Sequence, residues 1–305
     1  MALNLIFMGT PEFAVPILES INNSDHKLLF VYTQPPKKSS RGQKVNFSSV
    51  NEYCVKNKIA VKCPKIFNEK EIKFLKDLKP DVVIVAAYGK ILPKEVLDLK
   101  NIKFINIHAS LLPRWRGAAP IQRSIIEMDQ ETGISIMKIV PKLDSGPFIL
   151  QEKIKIEKND NYLSIRDKLS ILGSKLTLKT LHLIESGKYT LTEQDESRAT
   201  YAKKIEKKES EINWNVSSRQ LIAKINGLNP YPGTWFRHKN SRFKIIQALE
   251  VNLSGEQGVI LDDILTIACK ENAIRILKIQ REGKKILKSK DFLAGYKLTK
   301  GEKLT

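Results

Sequence analysis

The chain has 305 residues, 42% hydrophobic and 28% charged, ordinary for a soluble globular protein of roughly two domains with a sizeable core. Cys54, Cys63 and Cys269 form no CxxC pair and no Cys/His cluster, which excludes a disulfide framework and structural zinc from the reading. No apolar run approaches the roughly 20 residues a bilayer span needs, and Met1–Phe7 lacks a basic leader, so a cytoplasmic protein is expected. The formal charge is +19 and unevenly spread: residues 201–305 hold 21 Lys+Arg against 11 Asp+Glu, the first 200 hold 31 against 22. A basic C-terminal third attracts polyanions through counterion release. Compositional drift toward Lys, Ile and Asn would produce the same excess.

Leu3–Met8 is a short apolar run ending at Gly9-Thr10-Pro11, and residues 12–18 follow with helical spacing, giving strand, turn, helix. Thr10 is placed as the helix N-cap, with Pro11 at the first helical position. Only one glycine stands where a dinucleotide-binding turn carries G-x-G-x-x-G, which counts against NAD or FAD. Lys27–Thr33 reads as a second strand. Gln34–Asn46 reads as a polar, structure-poor insertion with four cations, Lys37, Lys38, Arg41 and Lys44, and no acid. A solvated loop and a loop gripping a phosphate backbone both fit it.

Phe47–Lys58 and Glu69–Leu78 read as helices, with a short strand at Ile59–Lys62 between them. Asp81–Ala87 is nearly continuous apolar sequence, the signature of a strand buried on both faces of a parallel sheet. Strands alternating with helices define an α/β, doubly wound domain. The stretch from Phe104 to Pro120 alternates like a strand in its first half and is broken by Pro113, Gly117 and Pro120 in its second. Asn106 and His108, two apart on a strand, leave the same face at its end, where open sheets place their sites. Polar residues that merely cap a strand's exit would look the same. Ile121–Met128 resumes as helix and Gly133–Val140 as strand, leading into a loop that carries Asp144, a position that turn chemistry alone also explains. Phe148–Ile156 reads as strand and Leu163–Ile184 as an amphipathic helix.

The domains are expected at 1–186 and 208–305, with the polar, weakly periodic residues 187–207 as linker. Beyond it come a helix near Ser217–Asn226, the turn Asn229–Gly233, and short strands at Thr234–Arg237, Phe243–Leu249, Gly258–Leu261, Thr266–Cys269 and Ile274–Ile279. Short strands broken by turns suggest a small barrel. His26, His182 and His238 have no motif partner nearby and read as structural or solvated, and no metal site is expected.

Taken together, these segments resemble the methionyl-tRNA formyltransferase family over essentially the whole chain. The resemblance rests on Phe7-Met8-Gly9-Thr10-Pro11-Glu12-Phe13, Thr33-Gln34-Pro35, residues 85–93, the run from Asn106 to Gln122, Gly133–Met137 with Leu143-Asp144-Ser145-Gly146, and Asn229–Gly233 with Trp235. It implies a Rossmann-like, mostly parallel sheet followed by a smaller C-terminal OB-like β-barrel domain that carries tRNA on its basic face. It implies 10-formyltetrahydrofolate as formyl donor and no metal. The acceptor would be the amino group of methionine on initiator methionyl-tRNA. Asn106, His108 and Asp144 would be the catalytic trio, Ser110, Leu111, Leu112 and Pro113 would contact folate, and Tyr88 and Gly89 would line the pterin side. Lys37, Lys38, Arg41 and Lys44 would grip the tRNA acceptor end, with Arg41 the key cation, and the chain would act as a monomer. Two positions depart from the family pattern: Lys142 stands where glycine is frequent, and Pro147 where aspartate is.

On this reading the amine attacks the formyl carbon directly and passes through a tetrahedral intermediate. Asn106 would donate to the oxyanion, His108 would move the amine's proton or donate to the oxyanion, and Asp144 would fix the imidazole's tautomer. Rival readings are a formyl-folate enzyme acting on a sugar nucleotide or water, a non-catalytic RNA-binding protein, and a nucleotide-dependent oxidoreductase.

Overall fold

A computed structural model describes residues 2–39 and 44–304. By tertiary contacts the chain divides into two units, one of Met1–Pro120, Thr132–Ile154 and Arg166–Ala202, the other of Ile121–Glu131, Lys155–Ile165 and Lys203–Thr305. In chain order the first strands and helices are β1 (Asn4–Gly9), α1 (Val15–Asn22), β2 (Lys27–Tyr32), β3 (Lys37–Ser39), β4 (Lys44–Asn46), α2 (Ser49–Lys56), β5 (Val61–Lys62), α3 (Glu69–Leu78), β6 (Val82–Ala86), α4 (Lys94–Leu97) and β7 (Lys103–His108). They are followed by β8 (Arg116–Gly117), α5 (Pro120–Ile126), β9 (Glu131–Lys138), β10 (Phe148–Lys155), α6 (Tyr162–Glu185) and β11 (Tyr201–Ala202).

Seven strands of the first unit form one sheet in the order β10-β9-β7-β6-β1-β2-β5. The run from β5 to β7 is parallel, and β9 joins β7 antiparallel. All five residues of β6 are buried, as expected of a central strand covered on both faces. From β1 the chain winds one way through β2 to β5, and from β6 it winds the other way to β7. The strand order therefore reverses between the carboxyl ends of β1 and β6, where open α/β sheets leave a ligand crevice. Helix starts follow local chemistry: the Ser48 hydroxyl accepts from Asn51 N (3.0 Å) at α2, and Asn68 Oδ1 accepts from Glu71 N (3.2 Å) at α3.

Two local expectations for this unit are corrected. Thr10 does not cap a helix, because residues 12–14 form a short 3-10 turn capped by Pro11 and α1 begins only at Val15. Its hydroxyl donates instead to the Tyr88 carbonyl at 2.8 Å, across the switch point. The Gln34–Asn46 insertion is not structure-poor, since β3 and β4 pair antiparallel with Lys37 opposite Asn46, Lys38 opposite Val45 and Ser39 opposite Lys44. Polar composition gave no sign of this pairing, because backbone pairing needs no apolar face.

In the second unit, α7 (Ser218–Leu228) opens with a capping box between Ser217 and Gln220. The strands β12 (Thr234–His238), β13 (Ser241–Val251), β14 (Thr266–Ala268), β15 (Ala273–Arg281) and β16 (Ile286–Lys288) form a five-stranded antiparallel sheet, and α8 (Ser289–Gly295) follows. The Gly258–Leu261 segment expected as a strand makes only isolated bridges, Val259 with Lys303 and Ile260 with Ile267. Leu221 and Ile225 of α7, Phe236, Phe243 and Ile279 of the sheet, and Phe292 of α8 share one apolar cluster. His238 is buried there with Nδ1 2.9 Å from the Tyr296 hydroxyl and Nε2 3.3 Å from Glu302, a structural role. Among the described residues no helix is long and apolar enough to cross a membrane.

Phe236 is fully buried and stacks on Phe243 with ring centroids 5.6 Å apart. Phe236→Ala is expected to destabilise the second unit by about 3–5 kcal/mol. Thermal unfolding followed by calorimetry checks this; an unchanged Tm would contradict the assignment of this core.

Candidate active site

Residues Asn106 and His108 lie on β7 between β6 and β9, with Asn106 opposite Met137 and His108 opposite Ser135. Both side chains leave the same face, as the period of two requires. Asp144 arrives from the loop between β9 and β10. Its Oδ1 accepts from Asn106 Nδ2 at 3.4 Å, and its Oδ2 stands 3.7 Å from His108 Nδ1. An amide, an imidazole and a carboxylate separated by up to 38 residues thus meet at one point of the first unit.

The imidazole's other nitrogen, Nε2, donates to the Trp115 carbonyl at 2.8 Å. A carbonyl can only accept, so Nε2 carries the hydrogen and Nδ1 of the neutral ring presents its lone pair toward Asp144. The tautomer is therefore set by the Trp115 backbone and not by Asp144, as the sequence reading expected. Asp144 gains a second hold from the Gly117 N–H, which donates to Oδ2 at 2.9 Å. Gly117 has φ +116°, and a Cβ there would lie 2.9 Å from the Ala202 carbonyl oxygen, so only glycine fits.

The loop between His108 and Arg116 is tied down internally. Ser110 Oγ donates to the Arg114 carbonyl (2.6 Å), so that hydroxyl is already committed. Ser135 Oγ donates to the Ser110 carbonyl (2.6 Å) and accepts from Leu112 N (3.0 Å) and Gln151 Nε2 (2.8 Å). Gln151 Nε2 also donates to the Leu112 carbonyl at 2.7 Å. The Leu112–Pro113 peptide bond is cis. Leu112 is buried, while Leu111 and Pro113 are half-buried.

Arg116 is fully buried and spans out to residues 194–196. Its Nε and Nη2 donate to Gln194 Oε1 at 3.0 and 2.8 Å, and its Nη1 and Nη2 donate to the two Glu196 oxygens at 3.1 and 2.8 Å. Lys142 Nζ, one of the two departures from the family pattern, reaches Glu196 Oε2 at 2.7 Å. These donors hold the Glu196 carboxyl down to about 2, so it stays ionised beside the guanidinium. The stretch 187–202, polar in composition, is thereby fixed to the first unit, and β11 pairs with β8.

The other expected residues lie in different settings. Tyr88 is buried in the apolar cluster with Tyr32, Leu75 and Phe104, and burial pushes its phenol pKa up. The Tyr88 and Gly89 carbonyls both accept from Gln34 Nε2, at 3.0 and 2.9 Å. Lys37 is exposed on β3, Lys38 and Lys44 sit in the paired backbone of β3 and β4, and Arg41 lies outside the described residues. The sequence reading missed the Trp115 carbonyl, the Gly117 N–H and the Arg116–Gln194 pair. Arg116 stood within the quoted motif; Gln194 had no signal at all, because it lies in sequence that reads as linker.

Residues 3–181 match the formyl transferase family and residues 204–297 match its C-terminal domain, described as "Formyl transferase, C-terminal domain". The methionyl-tRNA formyltransferase of Pelagibacter ubique (strain HTCC1062) is 49% identical over 308 residues, covering 100% of this chain and 99% of its own. That of Paramagnetospirillum magneticum (strain ATCC 700264 / AMB-1) is 40% identical over 301 residues, covering 98% and 99%. Among solved structures, HypX from Aquifex aeolicus in complex with tetrahydrofolic acid shares the fold with a TM-score of 0.65 at 16% identity, over 100% of this chain and 51% of its own. An N-formyltransferase from Helicobacter canadensis, in complex with folinic acid and dTDP-3-aminofucose, does so with a TM-score of 0.68 at 20% identity, over 90% and 98%. With both of its halves matched and its full length shared with such relatives, the chain belongs to the methionyl-tRNA formyltransferase family.

Proposed function

We propose that this chain transfers the formyl group of 10-formyltetrahydrofolate to the amino group of methionine on initiator methionyl-tRNA. The observation that carries the reading is the meeting of Asn106, His108 and Asp144 at the carboxyl end of β7, in a chain 49% identical along its length to a protein of that name. The formyl donor is a substrate here. The segments expected to hold it, Tyr88–Gly89 and Ser110–Pro113, follow the carboxyl ends of β6 and β7, near the strand-order reversal where such sheets bind ligands. Leu111 and Pro113 offer half-buried apolar surface for a pterin, and backbone groups offer the polar contacts.

The attacking amine adds to the formyl carbon, the carbonyl oxygen becomes an oxyanion, and the folate nitrogen leaves. Asn106 Nδ2 carries two hydrogens, of which Asp144 takes one, leaving one for the oxyanion. His108 has Nε2 committed to Trp115, so Nδ1 is the nitrogen that receives the amine's proton. Once protonated, Nδ1 faces the Asp144 carboxylate at 3.7 Å, which stabilises the imidazolium until the proton passes to the leaving group. On this reading the chain acts as a cytoplasmic monomer. The cationic hairpin of β3 and β4 and the basic C-terminal third favour an RNA acceptor over a sugar nucleotide, because both match a phosphate backbone.

Replacing Asn106, His108 or Asp144 by Ala is expected to lower kcat by about 10²- to 10³-fold with unfolding unchanged. Formation of formyl-methionyl-tRNA in single-turnover assays checks each, and near-normal turnover in any one removes that residue from the scheme. Replacing Lys37, Lys38, Arg41 and Lys44 together by Ala should raise KM for tRNA and flatten the salt dependence of kcat/KM, by a slope of roughly 0.7–0.9 per lost phosphate contact. An unchanged slope would show that this hairpin does not touch the RNA. Transfer of formyl only to water or to an amino sugar nucleotide would replace the proposed acceptor.

A further inference from the structure

We propose that Gln194 is a positioning residue for the reaction, acting through the backbone of Asp144; the inference rests on the catalytic reading of Asp144 given above. Asp144 has φ +44°, in the left-handed region that a residue with a Cβ seldom holds without outside support. Gln194 supplies that support. Its Nε2 donates one hydrogen to the Asp144 carbonyl at 2.9 Å and the other to the Gly146 carbonyl at 2.7 Å. Two carbonyls two residues apart are thereby gathered onto a single donor, which fixes the bend of the loop and the direction in which the Asp144 side chain leaves it.

The amide cannot turn over. Its Oε1 accepts from both Nε and Nη2 of Arg116, and a flip would set the NH2 group against those donors while leaving the two loop carbonyls facing oxygen. Arg116 is in turn flanked by the two residues that touch the trio directly, Trp115 through its carbonyl on His108 and Gly117 through its N–H on Asp144. Gln194 therefore ties the Asp144 loop to the segment that orients His108. Lys142 adds an outer hold on the same loop through Glu196, which gives the departure from glycine at that position a physical role. A Cβ on Gly146 would lie 1.9 Å from the Lys138 carbonyl, so the loop has no slack on its other side. Gln194 itself is 9% exposed and its polar atoms are all engaged, so it acts through Asp144 and not on substrate.

The test is a kinetic cycle on the full chain, with 10-formyltetrahydrofolate and charged initiator tRNA, comparing Gln194→Ala, Gln194→Glu, Asp144→Ala and the Gln194→Ala/Asp144→Ala double variant. Gln194→Glu keeps the acceptors for Arg116 and turns oxygen toward the two loop carbonyls, so it remains informative should Gln194→Ala fail to fold. Both single Gln194 variants are expected to lose kcat by about 10- to 100-fold while KM for either substrate changes less than about threefold. The double variant should turn over no more slowly than Asp144→Ala alone, since both changes remove the same device. Near-native kcat in both Gln194 variants, a rise in KM as large as the fall in kcat, or losses that multiply in the double variant would each overturn the assignment while leaving the trio standing. Near-native turnover in Asp144→Ala would instead overturn the catalytic reading of Asp144, and the role of Gln194 with it.

Discussion

The guanidinium of Arg116 is taken wholly out of water, and a buried charge of that kind is tolerated only with its partners in place. Gln194 and Glu196 are those partners, almost eighty residues further along the chain. Their recruitment brings a polar stretch of no intrinsic preference against the sheet, where β11 completes a short parallel pair with β8. The geometry of the site depends on this charge because residues 115, 116 and 117 are consecutive. Whatever holds Arg116 also holds the carbonyl on one side of it and the N–H on the other.

Two of the three groups of the site, His108 and Asp144, are consequently held by backbone groups at shorter range than by one another. His108 has its tautomer set by a carbonyl, and Asp144 has one carboxylate oxygen on an N–H and its own carbonyl on an amide. The contacts among the trio are longer, 3.4 and 3.7 Å. Preorganisation of this type lets charge develop during reaction without the protein having to rearrange. Chemistry and recognition also occupy different kinds of structure. The trio gathers where β7 ends, whereas the cations proposed to meet RNA lie along residues 37–44 and in the basic C-terminal third, where charge positions a polyanion without having to be placed to a fraction of an ångström.

Periodicity and chain chemistry determined much of this protein by themselves. The buried run at residues 82–86, the caps at Ser48, Asn68 and Ser217, and the alternation through Asn106 and His108 are all local, and each is governed by residues within a few positions of it. The motif around Asn106, His108 and Asp144 was legible for the same reason, since a family pattern is written in contiguous residues. Local reading failed where a group's partner lies far off. Thr10 looked like a helix cap, but its hydroxyl donates to the Tyr88 carbonyl, 78 residues away in the chain. Residues 34–46 looked structure-poor because the pairing of two polar strands, Lys37–Ser39 with Lys44–Asn46, leaves no trace in hydrophobic spacing. The stretch from 187 to 202 read as linker because a side chain that will satisfy a buried arginine is composed like one that will face water. Only the fold, by burying Arg116 where it does, decided which glutamine would bind the Asp144 loop and which carbonyl would meet the His108 ring.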